Sequence, residues 1–133
     1  MKRRVLLSFF GVISILIVVL VITLVPRRIF NYEAENIAKV TILNGINGEL
    51  IELTEKDDVD RIVYNLNSVS FQRNGISPKA GFSYKVTLYD KNDKQIDSIT
   101  ITGNGNISYK QTNYKATKNK IDLKYYENLY TNR

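Results

Sequence analysis

The feature that most constrains this chain is an uncharged run of 21 residues, Val5 to Val25, with Lys2, Arg3 and Arg4 before it and Arg27 and Arg28 behind it. At about 1.5 Å of rise per residue such a helix reaches roughly 31 Å, close to the ~30 Å hydrocarbon core of a bilayer. A secretory signal has a shorter apolar region and a small-residue cleavage site. Here the run ends in Leu24, Val25, Pro26 and Arg27. A helix apolar on all sides also needs more protein around it than about 100 residues supply. The run therefore reads as an uncleaved anchor over residues 5–26, with the lipid bilayer as its partner.

Basic charge flanks both ends, and Lys39 lies within the window in which such charge counts. The head, residues 1–4, is almost entirely positive and costly to translocate. This favours a cytoplasmic head and a body outside the cell. Without the head, the body carries 16 basic and 13 acidic residues, +3 against +6 for the whole chain. It suffices for one small domain. No cysteine is present, so no disulfide framework and no lipid-anchoring thiol exist.

Residues 27–36 read as a juxtamembrane linker, with Phe30 and Tyr32 suited to the membrane interface. Residues 37–133 form the domain. Ala38, Val40 and Ile42 alternate with polar residues; two Asn-Gly pairs follow, and Ile51 and Leu53 return, which predicts a hairpin. In TEKDDVDRIVYNLNS, Val59, Ile62, Val63 and Leu66 fall on one helical stripe. Thr54 is the expected cap, and Asp58, Arg61 and Asn65 are expected to face water. Val69 and Phe71 suggest a short strand, and residues 73–81 a loop.

Phe82, Tyr84, Val86 and Leu88 alternate cleanly. KNDK turns the chain, and QIDSITIT continues as a strand with a bulge expected near Asp97–Ser98. GNG at 103–105 is a further turn and NISYK a return strand. TNYKAT is expected as a last edge strand. NKIDLKYYENLY closes as a helix with Leu123, Tyr126 and Tyr130 toward the sheet. The order predicts an α+β domain: an antiparallel sheet of about five to seven short strands with two helices packed on one face.

The run from DDVDRIVYNLNSVSF through GFSYKVTLYDKNDKQIDSITITGNGNISY to YYENLY resembles a family of small membrane- or lipid-anchored extracytoplasmic domains from Gram-positive bacteria. The resemblance covers about 55–130. That family has no assigned function, so the resemblance implies an exported α+β domain and carries no catalytic residue across.

Missing residue types limit the chemistry. Without histidine the usual general base near neutral pH is gone, and without cysteine so are thiol nucleophiles and thiolate metal sites. A Ser–Lys hydrolase would have only Ser77 and Lys79, joined by the acidic cluster, and neither S-x-x-K nor G-x-S-x-G occurs. Glu55, Asp57, Asp58 and Asp60 are the composition of a helix first turn. DKNDKQ at 90–95 departs from a calcium loop at Lys94 and Gln95, and GNGNIS at 103–108 lacks the third glycine of a dinucleotide fingerprint. The sequence thus predicts no enzyme, no cofactor and no metal site.

The charge split is more specific. Residues 33–60 hold eight acids and two lysines. Residues 108–124 hold Lys110, Lys115, Lys118, Lys120 and Lys124 against Asp122 alone, with Tyr114 and other tyrosines interleaved. The expected function is a non-catalytic binding module at the cell envelope, with an unknown envelope protein or polymer as partner. The alternative is contact of the Lys/Tyr segment with anionic lipid headgroups or wall polymer. A solvated, lysine-protected sheet edge explains the same residues without any ligand. Nucleic acid is not an expected partner.

Overall fold

The structure, a computed structural model, describes residues 1–76 and 81–132. A long helix, α1 (Lys2–Leu24), precedes an α+β domain. The domain runs β1 (Lys39–Asn44), β2 (Leu50–Leu53), α2 (Lys56–Ser68), β3 (Ser70–Ile76), β4 (Tyr84–Tyr89), β5 (Gln95–Ile101), β6 (Ile107–Tyr109), β7 (Thr112–Lys118) and α3 (Leu123–Thr131). The strands form one seven-stranded sheet of order β2-β1-β4-β5-β6-β7-β3, antiparallel at every pair.

Helix α1 is long and apolar enough to cross a membrane, and none of it is buried against the rest of the chain. It begins at Lys2, so the basic head forms its first turn. It stops at Leu24 because Val25 is extended before Pro26, whose ring disfavours the helical conformation in the residue ahead of it.

Alternation decides which face of the sheet is covered. Val40, Ile42, Ile51, Leu53, Val86, Leu88, Ile99, Ile101 and Ile107 point to one side and are buried. The stripe Val59, Ile62, Val63 and Leu66 of α2 joins the same core. Tyr126 of α3 stacks on Tyr84 at 5.4 Å between ring centroids. The opposite face is a carpet of hydroxyls, with Thr87 Oγ1 and Ser98 Oγ 3.3 Å apart across β4 and β5. Cross-strand hydroxyl pairs of this kind suit a sheet face left to water.

Several local expectations change. The cap of α2 is Glu55, not Thr54, and no side chain closes it. Asp58, Arg61 and Asn65 do not simply face water. Asp58 accepts from the Tyr125 hydroxyl at 2.6 Å, Arg61 pairs with Asp122 at 3.1 Å, and Asn65 bonds the Lys120 carbonyl and the Asp122 amide. These contacts join α2 to α3, a partnership between segments about 60 residues apart that α2's own sequence does not announce.

Strand β3 continues to Ile76, so Arg73–Ile76 is strand and not loop. The segment β7 lies between β6 and β3, which makes β3 the edge. The bulge in β5 falls at Ile96, since Leu88 faces Asp97 while Tyr89 faces Gln95. It restores the inward parity of Ile99, as the alternation required, one residue before the expected place.

Gly45 marks a close backbone approach. Its amide donates to the Ser83 carbonyl at 2.8 Å, and a Cβ there would lie 1.9 Å from the Phe82 carbonyl oxygen. Gly45→Ala must push the β1–β2 hairpin away from β4. We expect a loss of about 1–3 kcal/mol, as for other overpacked sites. Urea unfolding of the full chain in detergent measures it; an unchanged midpoint would refute the contact.

Candidate functional site

The junction between α1 and the sheet is the most elaborately built region. Only Val25 and Pro26 separate the helix from the domain, because Arg27 already pairs with β3. The Arg27 amide donates to the Phe71 carbonyl at 2.9 Å, and the Phe71 amide donates back at 2.8 Å. Phe30 and Tyr32 therefore do not lie in a membrane interface belt. Phe30 is 4% exposed. Its ring meets Phe71 and Tyr109 edge-on and stacks with Tyr32, at 5.8, 5.0 and 5.4 Å.

From there residues 27–38 cross the covered face as a strap. They leave β3 at Phe71, pass Tyr109 of β6 and Asp97 of β5, and reach β4, where the Ala38 amide donates to the Tyr89 carbonyl at 2.9 Å. A 3-10 turn at Ala34–Asn36 precedes that step. Helix α2 clamps the strap from above. Asn67 accepts from the Tyr32 amide and donates to the Tyr32 carbonyl, both at 2.8 Å, the pairing a neighbouring strand would offer. Extended backbone crossing a core needs such partners.

Beneath it lies a polar cluster shared by strap and sheet. The hydroxyls of Tyr32 and Tyr109 both donate to Asp97 Oδ2, at 2.7 and 2.6 Å, while Asp97 Oδ1 accepts the Ser98 amide at 3.0 Å. Burial first, and the Asp97 carboxylate second, push the Tyr109 phenol up to about 12 and hold Tyr32 higher still. Both tyrosines are thus neutral donors at physiological pH, and the carboxylate's oxygens are occupied. Chemically the cluster is a rivet between strap and sheet.

The basic Lys/Tyr segment is spread over the domain. Lys110 stands in the β6–β7 turn, its Nζ 5.2 Å from the Tyr109 ring centroid. Tyr114 points to the covered side and meets Phe71 edge-on at 6.5 Å. Lys115 is exposed on the open face beside Gln72. Lys118 ends β7 at its other end, opposite Ser70, Lys120 follows the strand, and Lys124 stands at the start of α3. Lys2, Arg3 and Arg4, in the first turn of α1, and Arg27 and Arg28, beyond its end, are exposed.

The acids of α2 are dispersed: Lys56 pairs with Asp60, and Asp58 turns to Tyr125. In the 90–94 turn, Asp90 Oδ1 accepts the amides of Asn92 and Lys94, and Asp93 pairs with Lys39. A strand follows GNG, with Gly105 at φ +76° supplying the turn. Ser77 and Lys79 lie outside the described residues. Among the described residues no three His, Cys, Asp or Glu side chains converge as a metal site.

No family model, no curated protein and no solved structure matches the chain.

Two outcomes follow from the strap. Phe30→Ala should cost about 3–5 kcal/mol, as for other buried aromatics, in urea unfolding of the full chain in detergent. A ring merely resting at the bilayer surface would cost within about 0.5 kcal/mol. The folded-state pKa of Tyr109 is raised, so its contribution to stability is complete below about pH 10, the unfolded value, and is lost as pH rises toward about 12. Tyr109→Phe should flatten the alkaline fall in stability between those values.

Proposed function

We propose that this chain is a single-pass membrane protein. Helix α1 spans the bilayer with Lys2, Arg3 and Arg4 in the cytoplasm, and the α+β domain stands outside as a non-catalytic binding module of the cell envelope. The observation that carries the reading is the strap. A helix long enough to cross a membrane runs, after two residues, into hydrogen bonds with the domain's edge strand and then through its core. A domain with a flexible tether can search a large volume; this one is held against the surface its anchor emerges from.

Such a mount suits recognition of something that lies at the surface. The basic head supports the orientation through its translocation cost. The want of histidine and cysteine, and the occupied state of the Asp97 carboxylate, support binding over catalysis. The resemblance to anchored extracytoplasmic domains of Gram-positive bacteria supports an envelope partner.

Protease treatment of intact cells carrying a C-terminally tagged chain tests the placement. The tag should be lost from whole cells while a short anchor fragment stays in the membrane fraction. A tag protected until lysis overturns the orientation, and an untrimmed soluble product overturns the anchor.

A further inference from the structure

The acids of the domain are spread unevenly across the width of its sheet, whereas lysines such as Lys39, Lys56 and Lys85 occur on the acidic side as well. No acid occurs between Asp60 and Asp90, or between Asp97 and Asp122. Strands β3, β6 and β7 therefore contain no carboxylate, and neither does the chain from Val25 to Tyr32; the strap's Glu33 and Glu35 come after it has left β3. The same corner carries Arg27, Arg28, Arg73, Lys110 and Lys115, all exposed. At the far edge, β2 and the start of α2 bring Glu49, Glu52, Glu55 and Asp57, also exposed. Asp97, on β5, is turned to the covered face, where Tyr32 and Tyr109 engage it.

The pairing of Arg27 with Phe71 says which way the basic corner faces. It is antiparallel, so the chain arriving from α1 runs past the β3 residues that follow Phe71. Arg73 lies on that side, and Ile76 pairs with Thr112, next to the Lys110–Gln111 turn. Phe71 also pairs with Ala116, and five steps lead from Ala116 to Gln111. At ~3.3 Å each they carry the turn roughly 16 Å toward the anchor. The three steps from Arg27 back to Leu24 cover about 10 Å at most on the same scale. The turn thus reaches at least to the level at which the span begins. Lys110 and Gln111 hold it with φ of 47° and 63°, a left-handed pair that aims a narrow hairpin tip without glycine.

We infer that this corner binds the anionic headgroups of the leaflet from which α1 emerges, with Arg73, Lys110 and Lys115 as the contacts beyond the anchor's own Arg27 and Arg28. Lysine and arginine held within a Debye length of an anionic surface are attracted to it, and salt weakens the attraction. The acidic edge is repelled by the same surface. The domain is therefore tilted, β3 and β7 down and the β1–β2 hairpin up, and its upper edge is presented outward. This inference rests on α1 spanning the bilayer.

The chain has no cysteine, so single probes are readily placed. Gln111→Cys labels the lower tip and Asn47→Cys the β1–β2 hairpin. Each labelled full-length chain is reconstituted in nanodiscs of zwitterionic lipid, or of that lipid with 30% phosphatidylglycerol, and quenching by headgroup-attached acceptors is read. We expect at least threefold stronger quenching at 111 than at 47 in anionic discs. The difference should shrink in zwitterionic discs, in ~0.5 M salt, and in the R73E/K110E/K115E variant, whose circular dichroism should match the unaltered chain. Equal quenching at the two positions overturns the inference, as does a difference indifferent to lipid charge and to the three substitutions. Soluble polyphosphate that binds the same three residues while the anionic discs do not would also overturn it and point to a wall polymer. Co-flotation with lipid in high salt reads the anchor separately: a chain that fails to float disproves the span, whereas one that floats without orienting disproves only the headgroup contact.

Discussion

The structure depends on the burial of Phe30 against the sheet, three residues after the strap pairs with β3 at Arg27. That ring links Phe71 on the edge strand, Tyr109 toward the middle of the sheet and Tyr32 along the strap. Its burial requires the backbone on either side to cross a dry surface, and Arg27–Phe71 and Asn67–Tyr32 supply the hydrogen bonds that make this tolerable. The desolvation cost of unpaired amides would otherwise offset much of what the aromatic contacts contribute.

The strap and α2 cross the same face in opposite senses. The strap travels from β3 to β1, and α2 returns from β2 to β3. Each connects opposite sides of the sheet, and Asn67 fastens one to the other. Helix α3 then closes the remaining core, its Tyr130 hydroxyl donating to the Ile42 carbonyl at 2.6 Å and its Tyr125 hydroxyl reaching Asp58 on α2. Tyrosine does most of this joining because one side chain supplies both an apolar ring and a donor at its end. The segment that leaves α1 and the domain core are therefore one mechanical unit.

Much of this was legible in the residues, and some was not, for identifiable reasons. The β1–β2 hairpin follows from alternation and two Asn-Gly pairs, both local properties. The α2 stripe follows from a 3.6-residue period, and the bulge in β5 from a parity conflict between Ile96 and Ile99. The strap was hidden because Ile29, Phe30 and Tyr32 beside an apolar span have the composition of an interface belt. Alternation within IFNY was the available signal, but four residues are too few to separate the two readings. The Tyr32–Asp97–Tyr109 cluster joins residues 65 and 12 positions apart, and no spacing rule reports a carboxylate shared at that distance.

By itself the sequence determined the apolar span, the α+β class, the inward-facing residues of most elements and the missing catalytic residue types. These depend on periodicity and composition, which act within a few residues. The tertiary structure alone decided that the segment after the span is core and not tether, that β3 and not β7 forms the edge, and that the basic Lys/Tyr segment divides between two ends of the sheet. Each of those depends on which strands pair, and pairing is set by the summed burial of the whole face rather than by any one stretch of chain.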